Sequence, residues 1–207
     1  MTTIVQLIML LTTTLHAQCT VGTNQPPPFV ANDGTPIAWA RNASVTWGIT
    51  CGSPCIPISQ DLQIGIGTGF TNWSAAASTN NSGVQFTQGS AGDPNATYPW
   101  ISITMVPDST ITPNAGFTQP VWTQSPPYTI GYAIVAVSDA INVRHYMAFV
   151  TGHEIGHTMA LQNCTSCGDN TTVMASAPNA PVFNAAADGL EGPSSCDNQQ
   201  VNQTAYP

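Results

Sequence analysis

The run His153-Glu154-Ile155-Gly156-His157 constrains the fold and chemistry of this chain more than any other feature. Residues four apart lie on one face of an α-helix, so a helix here would direct both imidazoles toward a single zinc ion. Glu154 could then take a proton from a zinc-bound water as that water attacks a carbonyl group. A chain with four His and two Glu in 207 residues contains this spacing by chance about once in a thousand cases. The alternative interpretation is a solvated helix with two surface histidines.

Composition limits the classes of partner. Charged residues are 6% of the chain, the formal net charge is -8, and the two cationic side chains are Arg41 and Arg144. Without clustered Lys or Arg, binding to nucleic-acid phosphates is excluded and docking on anionic lipid is disfavoured. The chain is 42% hydrophobic and has five Trp, which argues against intrinsic disorder. The length predicts one domain, and we expect a monomer.

The first residues predict export. Ile4 to Leu11 form a short apolar run, interrupted by Gln6, and small residues follow up to Ala17. This pattern is typical of a secretory signal peptide at residues 1–17, and the run is too short to span a bilayer. The protein would therefore be secreted, with no membrane attachment after cleavage. The alternatives are a mature N-terminal strand or a truncated start.

Two further segments follow the predicted signal peptide. Pro26-Pro27-Pro28 indicates an extended conformation, so residues 18–41 are predicted to form an extended lead-in. Residues 42–207 show no internal repeat, and we predict that they form a single domain.

Six cysteines remain after the predicted cleavage. In an oxidising compartment an even number indicates disulfides. The spacing favours local disulfides within Cys51-Gly52-Ser53-Pro54-Cys55 and within Cys164-Thr165-Ser166-Cys167, and it leaves the remaining partners open. A Cys-x-x-Cys sequence is also typical of redox sites, so a thiol redox protein that uses Cys164 and Cys167 is a further hypothesis.

Hydrophobic periodicity predicts the strands. Apolar residues alternate with polar ones in Val45–Ile49, Val84–Thr87 and Ile101–Met105. Ile130–Val137 is almost wholly apolar, and we expect a strand that is covered on both faces. Proline, glycine, threonine and asparagine predict loops throughout residues 107–127.

The same analysis predicts three helices. The first is capped by Ser59 and has an apolar stripe, although three glycines weaken it. The second runs from about Asn142 to Leu161 and contains the two histidines. The last is capped by Ser194, with Asp197 three residues later as in a capping box.

The run His153–Asn163 resembles the zinc signature of the metzincins, HExxHxxGxxH or HExxHxxGxxD. Downstream, Thr172-Val173-Met174 is similar to the Met-turn of that family, and the helix sequence is most similar to those of matrixin-like secreted peptidases. The resemblance implies an α+β fold with a twisted, mostly parallel sheet that has an edge strand, an active-site helix and a C-terminal helix.

The resemblance also implies a function. It suggests a secreted zinc-dependent endopeptidase whose protein or peptide substrate pairs with an edge strand of the sheet. His153 and His157 would be zinc ligands, Glu154 the general base that activates a water, and Met174 the hydrophobic floor beneath the metal.

Two positions depart from the metzincin signature. Ala160 replaces a glycine, and a left-handed backbone there would cost alanine about 1 kcal/mol. Asn163 replaces the third ligand, His or Asp, and its amide oxygen is a neutral and weaker ligand. Asn163 could bind zinc, a neighbour such as Asp169 could bind it instead, or the metal could be held poorly. Cys164 could bind zinc only as a free thiol. The alternative function is a catalytically weakened, metzincin-like extracellular binding protein.

Other candidates carry less weight. His145 is expected to pack or cap at the start of the zinc helix, and Glu191 lies in a loop pattern that does not suit a distant third ligand. Ser176 stands where the family often has a tyrosine that assists the oxyanion. The Asp93-Pro94-Asn95 loop has oxygen ligands that could hold calcium, although most such sequences are plain turns.

Overall fold

This computed structural model describes residues 19–89, 99–167, 171–175 and 190–207. These residues form a five-stranded sheet with helices packed on it. The signal peptide predicted at residues 1–17 and the calcium loop predicted at Asp93-Pro94-Asn95 lie outside these residues. In chain order the elements are β1 (Ser44–Ile49), α1 (Gln60–Ala76), β2 (Gln85–Gln88), β3 (Trp100–Val106), α2 (Asp108–Ile111), β4 (Gly116–Trp122), β5 (Ile130–Ser138), α3 (Arg144–Thr158) and α4 (Ser195–Thr204).

The sheet has the strand order β2-β1-β3-β5-β4. β1 pairs in parallel with β2 and with β3, and β3 pairs in parallel with β5. β4 is antiparallel to β5 and lies at the end of the sheet. The predicted α+β fold, with a mostly parallel sheet, an edge strand and a C-terminal helix, is therefore confirmed.

The prediction of loops throughout residues 107–127 was wrong for the part that forms β4. In this strand Phe117 and Val121 are 50% and 37% exposed, while Thr118 and Pro120 lie on the half-buried side. From Gly116 to Val121 the usual alternation is therefore inverted, because Phe117 and Val121 face solvent and polar or small residues face the protein, while Trp122 at the end of the strand packs against the core. A search for a buried apolar face does not detect such a strand.

The prediction that β5 is covered on both faces was also wrong. Ala133, Val135 and Val137 are fully buried against the helices, whereas Ile134 on the opposite face is 39% exposed. An apolar run does not reveal how many of its faces are covered, because the outer face of a sheet tolerates isolated apolar side chains.

Helix α1 begins at the predicted cap, since the Ser59 side chain accepts a hydrogen bond from Leu62 N. Two of the three glycines that weaken it, Gly65 and Gly69, have a packing role. A Cβ atom at Gly65 would lie 2.6 Å from the carbonyl oxygen of Arg144, and one at Gly69 would lie 2.9 Å from Gly152 N. α1 and α3 therefore approach backbone to backbone, which a side chain at either glycine would prevent.

Helix α3 starts at Arg144 and ends at Thr158, so it is shorter than the predicted span of Asn142 to Leu161 at both ends. Its N-cap is Val143, which provides no side-chain hydrogen bond. Trp73 of α1 fixes the middle of α3, because its Nε1–H donates to the carbonyl of Gly152 at 2.8 Å. Helix α4 has the predicted capping box of Ser194 and Asp197.

The lead-in segment pairs with the chain just beyond α3. Phe29 N donates to the carbonyl of Ala160 at 2.7 Å, and Gln162 N donates to that of Pro27 at 2.9 Å. Trp39 Nε1 donates to the hydroxyl of Thr158 at 2.9 Å in a buried hydrogen bond. The N-terminal segment thus fixes the position of the chain that leaves α3.

Three disulfides link the six cysteines. The predicted local pairs, Cys51–Cys55 and Cys164–Cys167, are confirmed, and the third disulfide joins Cys19 to Cys196 in α4. Within the described ranges, no helix has the length and hydropathy that a bilayer span requires.

We predict that the two kinds of disulfide differ in their effect on stability. Cys19–Cys196 closes a separation of 177 residues, whereas Cys51–Cys55 closes one of 4. The chain-entropy model predicts that the Cys19→Ala/Cys196→Ala double variant loses about 5 kcal/mol and the Cys51→Ala/Cys55→Ala double variant about 2 kcal/mol. Urea unfolding followed by tryptophan fluorescence measures both. Equal losses would show that loop length does not control the effect.

Candidate metal centre

The end of helix α3 is set by a left-handed residue. Ala160 has φ +65°, and Leu161 N donates across it to the carbonyl of Gly156 at 3.1 Å. This is the long hydrogen bond of a Schellman motif, which usually has glycine at the left-handed position. The chain therefore leaves the helix axis directly after Thr158 and turns back toward the two histidines.

Asn163 returns to the first histidine of the motif. Its Oδ1 atom lies 2.8 Å from Nε2 of His153, and its side chain is exposed. The imidazole rings of His153 and His157 have centroids 5.1 Å apart and lie nearly perpendicular to each other, at 84°. These three side chains, predicted as the ligand set, therefore lie at one surface site.

Backbone carbonyls hold the two imidazoles through their Nδ1 atoms. His153 Nδ1 lies 2.9 Å from the carbonyl oxygen of Val173, and His157 Nδ1 lies 2.9 Å from that of Leu161. A carbonyl only accepts, so each Nδ1 carries the proton and each Nε2 keeps a lone pair. Burial, with a smaller contribution from His153, lowers the pKa of His157 to about 4. Neutral imidazole is the form that binds metal.

The donor set fits a zinc ion. His153 Nε2 lies 2.8 Å from the side-chain amide of Asn163, which is a hydrogen-bond distance if the amide nitrogen faces the imidazole and a contact between two acceptors if the oxygen does. Histidines whose Nδ1–H groups donate to carbonyls are typical of zinc sites, because the hydrogen bond fixes the tautomer. Among the described side chains, no three His, Cys, Asp or Glu groups form a cluster that could hold a metal.

Two of the alternative ligands, Cys164 and Glu191, are not available in this arrangement. Cys164 is in a disulfide with Cys167, so it is not a free thiol. Glu191 contacts the Nδ1 atom of His145 near the start of α3 and does not reach the histidines of the motif. Asp169 lies outside the described residues, as does Ser176.

Glu154 is buried beside the edge strand. The hydroxyl of Thr118 lies 2.6 Å from Glu154 Oε2 and 3.0 Å from the backbone carbonyl of Glu154, so its single proton donates mainly to the closer carboxylate oxygen. Burial raises the pKa of Glu154, whereas the nearby His153 and the Thr118 hydroxyl act in the opposite direction. Thr118 could not be predicted from the sequence, because nothing in a threonine of a turn-rich segment indicates contact with a residue 36 positions away.

Met174 lies directly beneath the motif helix. It is fully buried, and a Cβ atom at Gly156 would lie 2.2 Å from its sulfur. Because Gly156 has no side chain, the sulfur of Met174 packs directly against the helix at this position. Its backbone carbonyl accepts a hydrogen bond from Cys164 N at 2.9 Å, which joins this turn to the segment that carries Asn163.

Asp197 of α4 anchors the turn that precedes Met174. Its carboxylate accepts hydrogen bonds from the hydroxyl of Thr172, from Val173 N at 2.9 Å and from Ser194 N at 2.8 Å. Burial raises the pKa of Asp197, and these hydrogen bonds oppose that effect. Since the carbonyl of Val173 accepts from His153, α4 orients a histidine of the site. The sequence analysis assigned Asp197 only to the helix cap.

Comparisons with known proteins give remote similarity. No family model matches the chain, and no curated protein matches it significantly. Among solved structures, the fold is similar to that of metalloproteinase-II from Bacteroides fragilis, with TM-score 0.39, 12% identity, and coverage of 73% of this chain and 50% of that one. It is also similar to two structures of myroilysin, with TM-scores 0.36 and 0.33, identities 15% and 16%, and coverage of 61% and 68% of this chain.

The chain spans about half the length of these solved structures, between 44% and 56% of each. The activity of this chain is a separate question that depends on its own residues.

We predict that Ala160→Gly is nearly neutral for stability. Glycine relieves a left-handed strain of about 1–2 kcal/mol but loses a fully buried methyl group, worth about 0.8 kcal/mol. The matched control is Ala148→Gly, a buried alanine inside α3, where lost burial and lower helix propensity add to about 2 kcal/mol. Chemical unfolding of both variants measures the difference. Equal destabilisation would contradict the assigned strain at Ala160.

Proposed function

We propose that this protein is a secreted zinc-dependent endopeptidase in which His153, His157 and Asn163 hold the metal and Glu154 is the general base. The observation that carries the proposal is the orientation of the two imidazoles. Both Nδ1 atoms are engaged by backbone carbonyls at 2.9 Å, so both Nε2 atoms keep a lone pair, and that of His153 faces the side chain of Asn163. A pair of surface histidines without a role would not need this support from two separate segments.

The chain's own residues suit peptide hydrolysis. A zinc ion at this site would supply a Lewis acid that polarises a carbonyl group and lowers the pKa of water. Glu154 would take the proton from the attacking water and deliver it to the leaving amine. A carboxylate with a raised pKa is better suited to return that proton near neutral pH than an ordinary exposed one.

The edge strand β4 offers a place for an extended peptide. Ser138 N donates to the carbonyl of Ala115 at 2.9 Å, so these residues form a bonded pair of the ladder with β5. Bonded and non-bonded pairs alternate in an antiparallel ladder, and the backbone groups of Gly116, Thr118 and Pro120 therefore point away from the sheet. Pro120 has no N–H, which leaves Gly116 and Thr118 as donors to a substrate strand.

Secretion belongs to the same proposal. Three disulfides are characteristic of proteins in an oxidising compartment, and the apolar N-terminal run of the sequence suits export. A monomer acting on protein or peptide substrates remains our prediction.

A second candidate function is that of an extracellular binding protein with weakened catalysis. The contact between Asn163 and His153 also favours it, because an amide can present either oxygen or nitrogen. If Nδ2 faced Nε2 of His153, it would donate a hydrogen bond and occupy the lone pair that a metal needs. The atom of Asn163 that faces His153 therefore distinguishes a ligand from a group that blocks the site.

We predict that Glu154→Gln abolishes hydrolysis while the metal stays bound. The amide keeps the shape of the side chain but cannot accept the proton, so kcat on casein or a fluorogenic peptide should fall by at least about 100-fold. Metal analysis should find one zinc per chain in both proteins, and chelation should remove activity reversibly. The matched control is Glu191→Gln, the only other glutamate of the chain. Full activity of Glu154→Gln would exclude the proposed mechanism.

We also predict that Asn163→Ala weakens zinc binding and Asn163→Asp strengthens it. Alanine leaves two ligands, whereas aspartate supplies an anionic oxygen at the same position. Zinc affinity measured by competition with a fluorescent chelator should change by about tenfold or more in each direction. Gln162→Asp, at the exposed neighbouring position, controls for added charge. If Asn163→Ala binds zinc like the native protein, Asn163 is not a ligand.

A further inference from the structure

We propose that Thr118 is a positioning residue for the reaction, which fixes the carboxylate of Glu154 relative to a bound peptide. The inference rests on the proposed function, in which Glu154 is the general base. Thr118 belongs to the edge strand β4 and is neither part of the zinc-binding motif nor one of the proposed ligands.

The hydroxyl of Thr118 makes two contacts with one residue. It lies 2.6 Å from Glu154 Oε2 and 3.0 Å from the backbone carbonyl of Glu154. A glutamate has three rotatable side-chain bonds, and fixing them carries a substantial entropic cost. The shared hydroxyl connects the end of that side chain to its own backbone, and it thereby restricts the carboxylate to one orientation.

Gly116 leaves space for the carboxylate on the other side. A Cβ atom at Gly116 would lie 2.5 Å from Glu154 Oε1, 2.9 Å from Glu154 Cγ and 2.8 Å from Val150 Cγ1. The carboxylate therefore occupies the space that a side chain at position 116 would fill. Thr118 holds one oxygen of Glu154, and the absence of a side chain at Gly116 leaves room for the other, which we assign to proton transfer.

Thr118 also connects the base to the substrate. Its backbone N–H points to the free edge of β4, where a peptide strand would pair, while its side chain points to Glu154. One residue thus sets the distance between a bound peptide and the group that moves the proton. Misplacement of a reacting group by about 1 Å can lower the rate by roughly 100-fold.

The test compares Thr118→Val with Thr118→Ser in steady-state hydrolysis of one fluorogenic peptide. Valine keeps the shape of threonine without its hydroxyl, so kcat should fall by roughly 10- to 100-fold. KM should stay within about twofold, because the backbone donor to the substrate is retained. Serine restores the hydroxyl and should recover most of kcat. Thr87→Val, the same change on the opposite edge strand β2, should behave like the native protein.

Zinc content and unfolding midpoints are measured for every variant. A native kcat in Thr118→Val overturns the inference, and so does an equal loss in Thr118→Ser or a loss that is explained by missing zinc. If Thr118→Val does not fold, Gly116→Ala decides. Its methyl group displaces Glu154 from the other side and should lower kcat with little change in KM, and a native kcat there also overturns the inference.

The inference and the proposed function can fail separately. If Glu154→Gln is as active as the native chain, the proposed function fails and Thr118 has no base to position. If Glu154→Gln is inactive while Thr118→Val has native kcat, the endopeptidase proposal stands and only the role of Thr118 is overturned.

Discussion

The left-handed turn at Ala160 is the constraint on which the candidate metal centre depends. A helix that continued past Thr158 would carry Asn163 away from His153, because residues ten apart on a helix are separated by about 15 Å along its axis. The reversal at Ala160 instead brings Asn163 Oδ1 within 2.8 Å of His153 Nε2. Alanine accepts the strained backbone because Phe29 N and the buried core hold this turn on both sides.

The C-terminal helix stabilises the same centre from below. Asp197 binds the backbone of Val173, and the carbonyl of Val173 orients His153. Two hydrogen bonds therefore connect α4 to a candidate ligand, and Cys19–Cys196 attaches the lead-in to the same helix. Such outer partners fix the tautomer and direction of a ligand, so the site depends on a segment that is remote from the motif in sequence.

Local patterns of the sequence were sufficient for most of the elements, although not for α2 and β4, and they were not sufficient for the contacts between elements. The helix that carries His153 and His157, the cap at Ser59 and the box at Ser194 follow from spacing within a few residues. The roles of Asp197 and Thr118 could not be predicted, because their partners lie 24 and 36 positions away. Only the packing of the sheet and helices brings those residues together.

Strand β4, which could not be predicted from the sequence, packs against Glu154, the proposed base. Its inward positions include Gly116 and Thr118 instead of large apolar residues, and this inverted alternation hides the strand from periodicity analysis. Both residues face Glu154, one leaving space for the carboxylate and the other donating to it. A buried carboxylate requires polar contact and room, which an apolar strand face cannot supply. The need of Glu154 for polar contact and room therefore accounts for the departure of β4 from ordinary strand patterning.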